Sequence, residues 1–600
     1  MPINTSLGEQ PVSPVTTRFL DGLREKDTGI YARFWNVLRI ARLPIAWIIG
    51  YLALRIVLVH FSIDVTTYSA RLYTGDVGFV TVVLPFVAFT LANAGLTAVS
   101  TFVSYVCSSL IDRRMRRAVW RKILTLPLSF FERNRPKELI SRVVSDVESV
   151  SQLVVNVVLE LIVQVYSLWA VLDTVGTYDP RLTWALAATL PLFVAVHFVF
   201  GKLSYSIADR TNTANAEFTR NLSETVTHAD VVKANGRESQ EAARSASRIQ
   251  DLYRYTVKGS WVSQLSSPAF AIATAIQFTV VALVGRSFLA SGAINAQQWV
   301  AFFMFSSQII SLVSIGYWSS FKGAQGSINR IAHIVEQRGE DDGTGVPADD
   351  LHGNIVLDQV SFAYGDRRPL DGLSATIPAG KVTAIVGKSG AGKTTLLTLL
   401  DRLRTPDSGS IRVASEGAGA AGAATDIQDY ALGSYRNAVV FVPQSNVFFE
   451  GTIRQNLLYG ANRSISDDEI ERAIDAVGAG GLLHALDGGL DHRLAESGAG
   501  LSGGERQLLA LVRAALKRPQ VLLLDEALSD LDADRRETAW AGLRALAEDA
   551  TIVTVSHDDG ALRRADHVIV VDDGHAVAEG APDEVTRDAD YRRIAGIEED

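Results

Sequence analysis

The chain is almost without cysteine. Its single thiol, Cys107 among 600 residues, excludes an internal disulfide and any cysteine cluster for a metal, and a lone thiol of this kind is expected to pack as a small hydrophobe on a helix. A surplus of basic residues is also missing. The formal net charge is -9, which argues against nucleic acid as a partner, because a basic patch is the first requirement there. The opening residues lack the basic-then-apolar layout of a cleavable signal, so the chain is expected to begin in the cytoplasm.

Apolar residues make up 48% of the sequence, and they are unevenly spread. Before about residue 320 several runs exceed the roughly 18 residues that suggest a membrane span. After residue 350 short Val/Ile/Leu runs alternate with glycine turns and helical stretches, the pattern of an α/β domain. A chain of this length needs more than one core. Residues 1–35 are read as an N-terminal segment carrying an amphipathic elbow helix, in which Ile30, Phe34, Val37 and Leu38 recur among Arg33, Arg39 and Arg42. Residues 36–333 then form the membrane domain, 334–352 a polar linker and 353–600 the α/β domain.

Six spans are expected, at about 43–63, 78–111, 153–176, 182–202, 266–289 and 297–318. The first contains Arg55. A central Arg costs about 2.5–3.5 kcal/mol on insertion scales, and Leu, Ile, Val and Phe each return about 0.3–0.6, so the surrounding residues offset it. Arg113, Arg114, Arg116, Arg117, Arg121 and Lys122 crowd the end of the second span, which makes that end cytoplasmic. Both termini and the α/β domain then lie in the cytoplasm, as expected of a multi-pass protein of the cell (inner or plasma) membrane. Segments 112–152 and 203–265 are helical in pattern but too polar for lipid, and are read as helices continued into water. Polar residues inside spans are the pointers to function: Arg55, Asn93, Asn156, Glu160, Gln164, Asp173, Gln277 and Gln308. Arg55 and Glu160 either pair across helices or line a cavity for charged groups.

In the second half, Gly387-Lys388-Ser389-Gly390-Ala391-Gly392-Lys393-Thr394 follows the strand-like Val382–Val386 and precedes Thr395-Leu396-Leu397. Strand, glycine-rich turn and helix are the setting that a P-loop requires. Its backbone N–H groups and helix N-terminus cradle phosphates, Lys393 reaches the β- and γ-phosphates, and Thr394 ligates Mg²⁺. The run Val521–Leu524 is apolar on both faces, as in a central parallel strand, and ends in Asp525 and Glu526. Acids there sit where α/β sheets bind ligands. Asp525 is expected in the magnesium shell, and Glu526 as the base that polarises attacking water.

These motifs resemble the ATP-binding cassette of ABC transporters, and the resemblance extends to Leu501-Ser502-Gly503-Gly504-Glu505, which is similar to the family's signature sequence. The segments Leu126–Glu132 with Ile140–Val147, and Glu224 with Val232–Glu238, resemble the two cytoplasmic loops of its exporters, departing at Lys137, His228 and Asn235. The fold implied is an α-helical transmembrane bundle of six spans with long cytoplasmic extensions, followed by an α/β P-loop ATPase. The resemblance further implies adenine stacking on Tyr364, Gln444 contacting Mg²⁺ and water, and Glu496 in an exporter-specific loop. It also implies Asp532 in a loop crossing a dimer interface, and His557 gripping the γ-phosphate. Each ATP would lie between the P-loop of one chain and Ser502, Gly503 and Gly504 of another, so an obligate dimer in the bilayer is implied, either a homodimer or a heterodimer with a second half-transporter. The activity implied is ATP-driven export of a small amphipathic substrate (drug, lipid or peptide). Import of a compound such as a siderophore by the same fold, and an ATP-gated regulatory protein, are the alternatives. The Gly/Ala-rich insert Ala414–Thr425 is read as an extension of a surface loop.

Overall fold

The computed structural model describes residues 29–75, 78–134, 136–312, 316–340, 345–414, 424–556, 559–588 and 591–592. The chain forms two compact units. One comprises residues up to Leu124 together with Asn134–Arg338, and the other Thr125–Arg133 together with the chain from Gly339.

The first unit is helical. An amphipathic helix, Ile30–Ala41, buries Val37, Leu38 and Ala41, and so carries the expected elbow beyond residue 35. Among the described residues, five helices are long and apolar enough to cross a membrane: Ile45–Tyr73, Phe79–Leu124, Pro136–Gly176, Pro180–Thr227 and Glu238–Ala290. The sixth expected span opens on Ala296–Leu312, a helix of 17 residues; residues 313–315, which follow it, lie outside those described. At 1.5 Å per residue, the 53 residues of Glu238–Ala290 reach about 80 Å, far more than the roughly 30 Å of hydrocarbon. The polar portions that the sequence assigned to water are therefore continuous with the spans. Cys107 is fully buried, as a small hydrophobe would be.

Several polar groups within the spans meet one another or the backbone. Arg55 ion-pairs with Glu160, which also accepts from the Tyr51 hydroxyl at 3.1 Å and from Gln164 Nε2 at 3.0 Å. Glu160 directly follows a widened π-helical turn, Val154–Leu159. Gln277 Nε2 donates to the Ser306 carbonyl at 3.0 Å. In the polar extensions, Asp146 is buried and receives a fork from Arg330, whose Nε and Nη2 donate at 2.7 and 2.6 Å, with the Ser327 hydroxyl at 2.9 Å.

The second unit contains strands β1 (Ile355–Tyr364), β2 (Arg367–Ile377), β3 (Val382–Val386), β4 (Ser408–Ala414), β5 (Ala424–Asp426), β6 (Val439–Val442), β7 (Gly451–Thr452), β8 (Arg493–Leu494), β9 (Val521–Asp525), β10 (Thr551–Val555), β11 (His567–Asp572) and β12 (His575–Gly580). The central sheet runs β12-β11-β3-β10-β9-β6, and a second sheet runs β2-β1-β4-β5. Strand β9 is buried along its whole length and parallel to both neighbours, which is why it reads as an unbroken apolar run. At the two ends of the Gly/Ala-rich insert Ala414 of β4 faces Ala424 of β5; residues 415–423 lie outside those described.

The Asp146–Arg330 pair is asymmetric, with side chains 7% and 52% exposed. Arg330→Ala strands a buried carboxylate, whereas Asp146→Ala frees a guanidinium that water can reach. Arg330→Ala is expected to cost about 2–3 kcal/mol and the reverse deletion less than half of that. Thermal-unfolding midpoints of the solubilised protein would check the order, and equal losses would contradict it.

Candidate functional site

Strand register assembles the site. Val555 of β10 lies opposite Ile385 of β3 on one side and Asp525 of β9 on the other. Val442 of β6 lies opposite Leu524 of β9. The segments that leave these strands therefore emerge side by side at one sheet edge, carrying the P-loop from β3, Gln444 from β6 and Glu526 from β9.

Between β3 and the helix Lys393–Leu400 the P-loop turns through backbone that only glycine adopts freely. Gly392 has φ +102, and a Cβ there would stand 2.3 Å from the Pro369 carbonyl oxygen. The Lys393 ammonium folds across the loop and donates to the Gly387 and Lys388 carbonyls at 2.8 and 2.9 Å. Burial pulls this ammonium below the ordinary lysine range, while Glu526 and Asp525 oppose the shift.

The hydroxyl of Thr394 donates to Asp525 Oδ1 at 3.2 Å, so two oxygens expected to hold one ion already converge. Both are hard ligands of the kind that Mg²⁺ prefers. Gln444 Nε2 donates to Glu526 Oε2 at 2.7 Å. Glu526 has φ +49, an uncommon conformation for a side chain with a Cβ, and its N–H is held by the Val555 carbonyl at 3.0 Å. A cavity of about 290 Å³ opens here, lined among others by Tyr364, Ser389, Gly390, Gly392, Lys393, Thr394, Thr395, Gln444 and Glu526. Gly387, Lys388 and Ala391 belong to the same loop without lining it.

Two elements of the expected ATP site, both assigned by the resemblance to contacts between chains, stand away from the cavity of their own chain. Ser502 caps the helix Gly503–Leu516 in a reciprocal box, in which its N–H donates to Glu505 Oε2 at 2.7 Å and its hydroxyl accepts from the Glu505 N–H at 3.3 Å. That bond gives Glu505 a local role. Asp532 caps the helix Ala533–Leu546, accepting from the Arg535 N–H at 2.9 Å. Neither Ser502, Gly503 and Gly504 nor Asp532 lines the cavity. His557 lies outside the described residues, as does the side chain of Glu496.

Sequence reasoning passed over Arg367 and Pro369, which also line the cavity. The available signal was the tight Gly365-Asp366 turn after Tyr364, which returns β2 alongside β1 and pairs Tyr364 with Arg367. The expected loop helices are present as Leu128–Arg133 and Ala229–Ala234. The former groups with the ATPase-like unit.

Two family descriptions match the chain: ABC transporter transmembrane region over residues 48–313, and ABC transporter over residues 370–529. An ATP-dependent lipid A-core flippase of Desulfotalea psychrophila is 30% identical over 497 residues, covering 81% of this chain and 84% of that protein. A fatty acid ABC transporter ATP-binding/permease protein of Mycobacterium bovis is 29% identical over 470 residues, covering 78% and 73%. The structure of a bacterial Atm1-family ABC exporter with ATP bound has the same fold, with a TM-score of 0.79 at 22% identity, covering 92% of this chain and 97% of that one.

The close approach at Gly392 generates a test. Gly392→Ala is expected to strain the loop by about 1–3 kcal/mol and to weaken binding of trinitrophenyl-ATP roughly tenfold or more. Gly433→Ala, where a Cβ meets nothing within 4 Å, should leave it unchanged. Equal affinities for the two variants would show that the loop does not hold the nucleotide.

Proposed function

The chain belongs to the ABC transporter family, as an exporter-type half-transporter, and on that premise we propose that it uses ATP to export a lipid or lipid-like amphipath. The observation that carries this reading is the convergence of Lys393, the Thr394–Asp525 pair and the Gln444–Glu526 pair on one cavity at the end of the parallel sheet. The relatives whose names refer to lipid A-core and fatty acid support the substrate class, as do the charged and amide side chains gathered around Glu160 within otherwise apolar helices.

In this reading Lys393 and the P-loop amides bind the β- and γ-phosphates. Thr394, Asp525 and Gln444 would hold Mg²⁺, which when bound would neutralise triphosphate charge. Glu526 takes a proton from the attacking water, and Gln444, already bonded to it, orients that carboxylate. His557 contacts the γ-phosphate. Tyr364 provides a platform for the base.

The placement of Ser502 supports pairing of two chains. Its helix N-terminus is exposed and away from the cavity of its own chain, so it is available to the nucleotide of a second. ATP held between chains closes the dimer, and hydrolysis reopens it. The basic cluster after the second span supports a cytoplasmic position for the ATPase half.

ATPase activity of the full chain in lipid nanodiscs, measured across lipids, drugs and peptides, tests this reading. Glu526→Gln is expected to keep ATP binding and lower turnover by about a hundredfold or more, and lipids or single-tailed amphipaths should change the wild-type rate most. Near-normal turnover of Glu526→Gln would remove the base assignment. Stimulation confined to hydrophilic peptides would remove the substrate class. Silence of a folded wild type would replace the homodimer with a heterodimer.

A further inference from the structure

The loop after the phosphate helix carries an arginine with two separate attachments. The Arg404 guanidinium lies over the Tyr364 ring, 4.5 Å from its centroid, and 5.6 Å from that of Phe362. It also ion-pairs with Glu132 of the helix Leu128–Arg133, and its side chain is only 9% exposed. The backbone beneath it is tied on both sides. The N–H groups of Leu403 and Arg404 donate to the Thr398 carbonyl of the phosphate helix at 3.0 and 3.2 Å, and the Asp407 N–H donates to the Ser361 carbonyl at 2.9 Å. Asp407 Oδ2 also accepts from the Ala363 N–H at 2.8 Å, next to Tyr364. Arg404 is thus fixed between the helix that faces the phosphates and the strand that ends at the aromatic ring.

Tyr364 lines the cavity and Arg404 does not, so the guanidinium supports the ring from outside. The ring also meets Phe362 edge-on, at 4.9 Å between centroids. It is 41% exposed, and its hydroxyl stands 3.4 Å from Thr395 Oγ1, at the weak limit for a hydrogen bond between hydroxyls.

We propose that Arg404 is a positioning residue for the nucleotide base: it holds Tyr364 in the orientation on which a purine stacks, and Glu132 holds Arg404. The proposal rests on the reading of the cavity as an ATP site. Guanidinium, phenol and purine would form one stack, in which the cation draws density from the phenol and favours the contact of its other face with the purine. Glu132 belongs to the segment that continues the helix Phe79–Leu124. Displacing that segment would loosen the base, and by linkage the bound base would steady the segment.

The test uses the full chain in nanodiscs without Mg²⁺, so that hydrolysis is off. Affinities for ATP and for inorganic tripolyphosphate are measured by displacement of trinitrophenyl-ATP. Arg404→Gln is expected to weaken ATP roughly three- to tenfold and leave tripolyphosphate unchanged, with Arg404→Lys recovering most of the loss. Glu132→Gln should weaken ATP about twofold, with no further loss when Arg404 is already Gln. An equal loss for ATP and tripolyphosphate, or no loss for either, overturns the proposal. Should Arg404→Gln fail to fold, Glu132→Gln decides in the same way. A wild type that holds ATP no tighter than tripolyphosphate, or a Tyr364→Ala variant that keeps full ATP affinity, would instead overturn the base platform itself.

Discussion

The site depends on the register of four parallel strands. Ile385, Val555 and Asp525 form one row across β3, β10 and β9, and Val442 stands beside Leu524 in the row before it. Successive side chains of a strand point to opposite faces, so a slip of one residue in β9 would turn Asp525 away from Thr394. The slip is prevented by burial. Leu522, Leu523 and Leu524 are each at most 1% exposed, and a shifted strand would carry the Asp525 carboxylate into that apolar layer, where an unpaired charge costs several kcal/mol. The apolar run thus does more than stabilise the domain, because it fixes the height at which the first carboxylate appears.

A second constraint acts on the membrane half, where the helices have no water to satisfy their polar groups. Arg55 and Glu160 meet this constraint by pairing, and Tyr51 and Gln164 take up further acceptor positions on the carboxylate. The same economy explains a helix boundary that hydropathy does not reveal. The first span reads as 43–63, yet the helix runs to Tyr73, through Ser62, Thr66 and Thr67. Thr66 and Thr67 return their hydroxyls to the carbonyls four residues earlier, at 2.9 and 3.0 Å, and Gln308 donates to the Ser62 hydroxyl. Polar residues that look like an end of the span are absorbed by the helix itself.

Legibility follows sequence distance. The P-loop, the acids after β9 and the capped helix after Ser502 are local patterns, in which neighbouring residues carry the geometry, so the sequence reveals them. The Gln444–Glu526 bond spans 82 residues and the Arg404–Glu132 pair spans 272, and neither follows from residue type. Arginine after a helix ordinarily reads as a solvated charge. Its burial against Tyr364 depends on how the loop is tied to β1 through Asp407, which is a property of packing. Likewise, residues 125–133 read as part of the membrane half because they sit between its helices in the chain, whereas their contacts place them with the ATPase-like unit.

The bonds within the cavity bear on how ATP can act as a switch. The Lys393 ammonium is satisfied by two loop carbonyls and Gln444 by Glu526. On the proposed reading, phosphates would replace bonds already made, so their net gain within one chain is modest, as for most exchanged hydrogen bonds. Moving a two-state equilibrium from 1:99 to 99:1 requires about 5.5 kcal/mol of differential binding, and exchange alone is a poor source of it. The Gly503 and Gly504 amides are different, since the opening turn of any helix leaves N–H groups without intrahelical partners and the Ser502 hydroxyl takes up that of Glu505. Contacts from those amides to a phosphate bound by another chain would arise only on closure. On the proposed reading such contacts count toward the difference between open and closed states, and the separation of the Ser502 turn from its own cavity would let ATP drive the cycle.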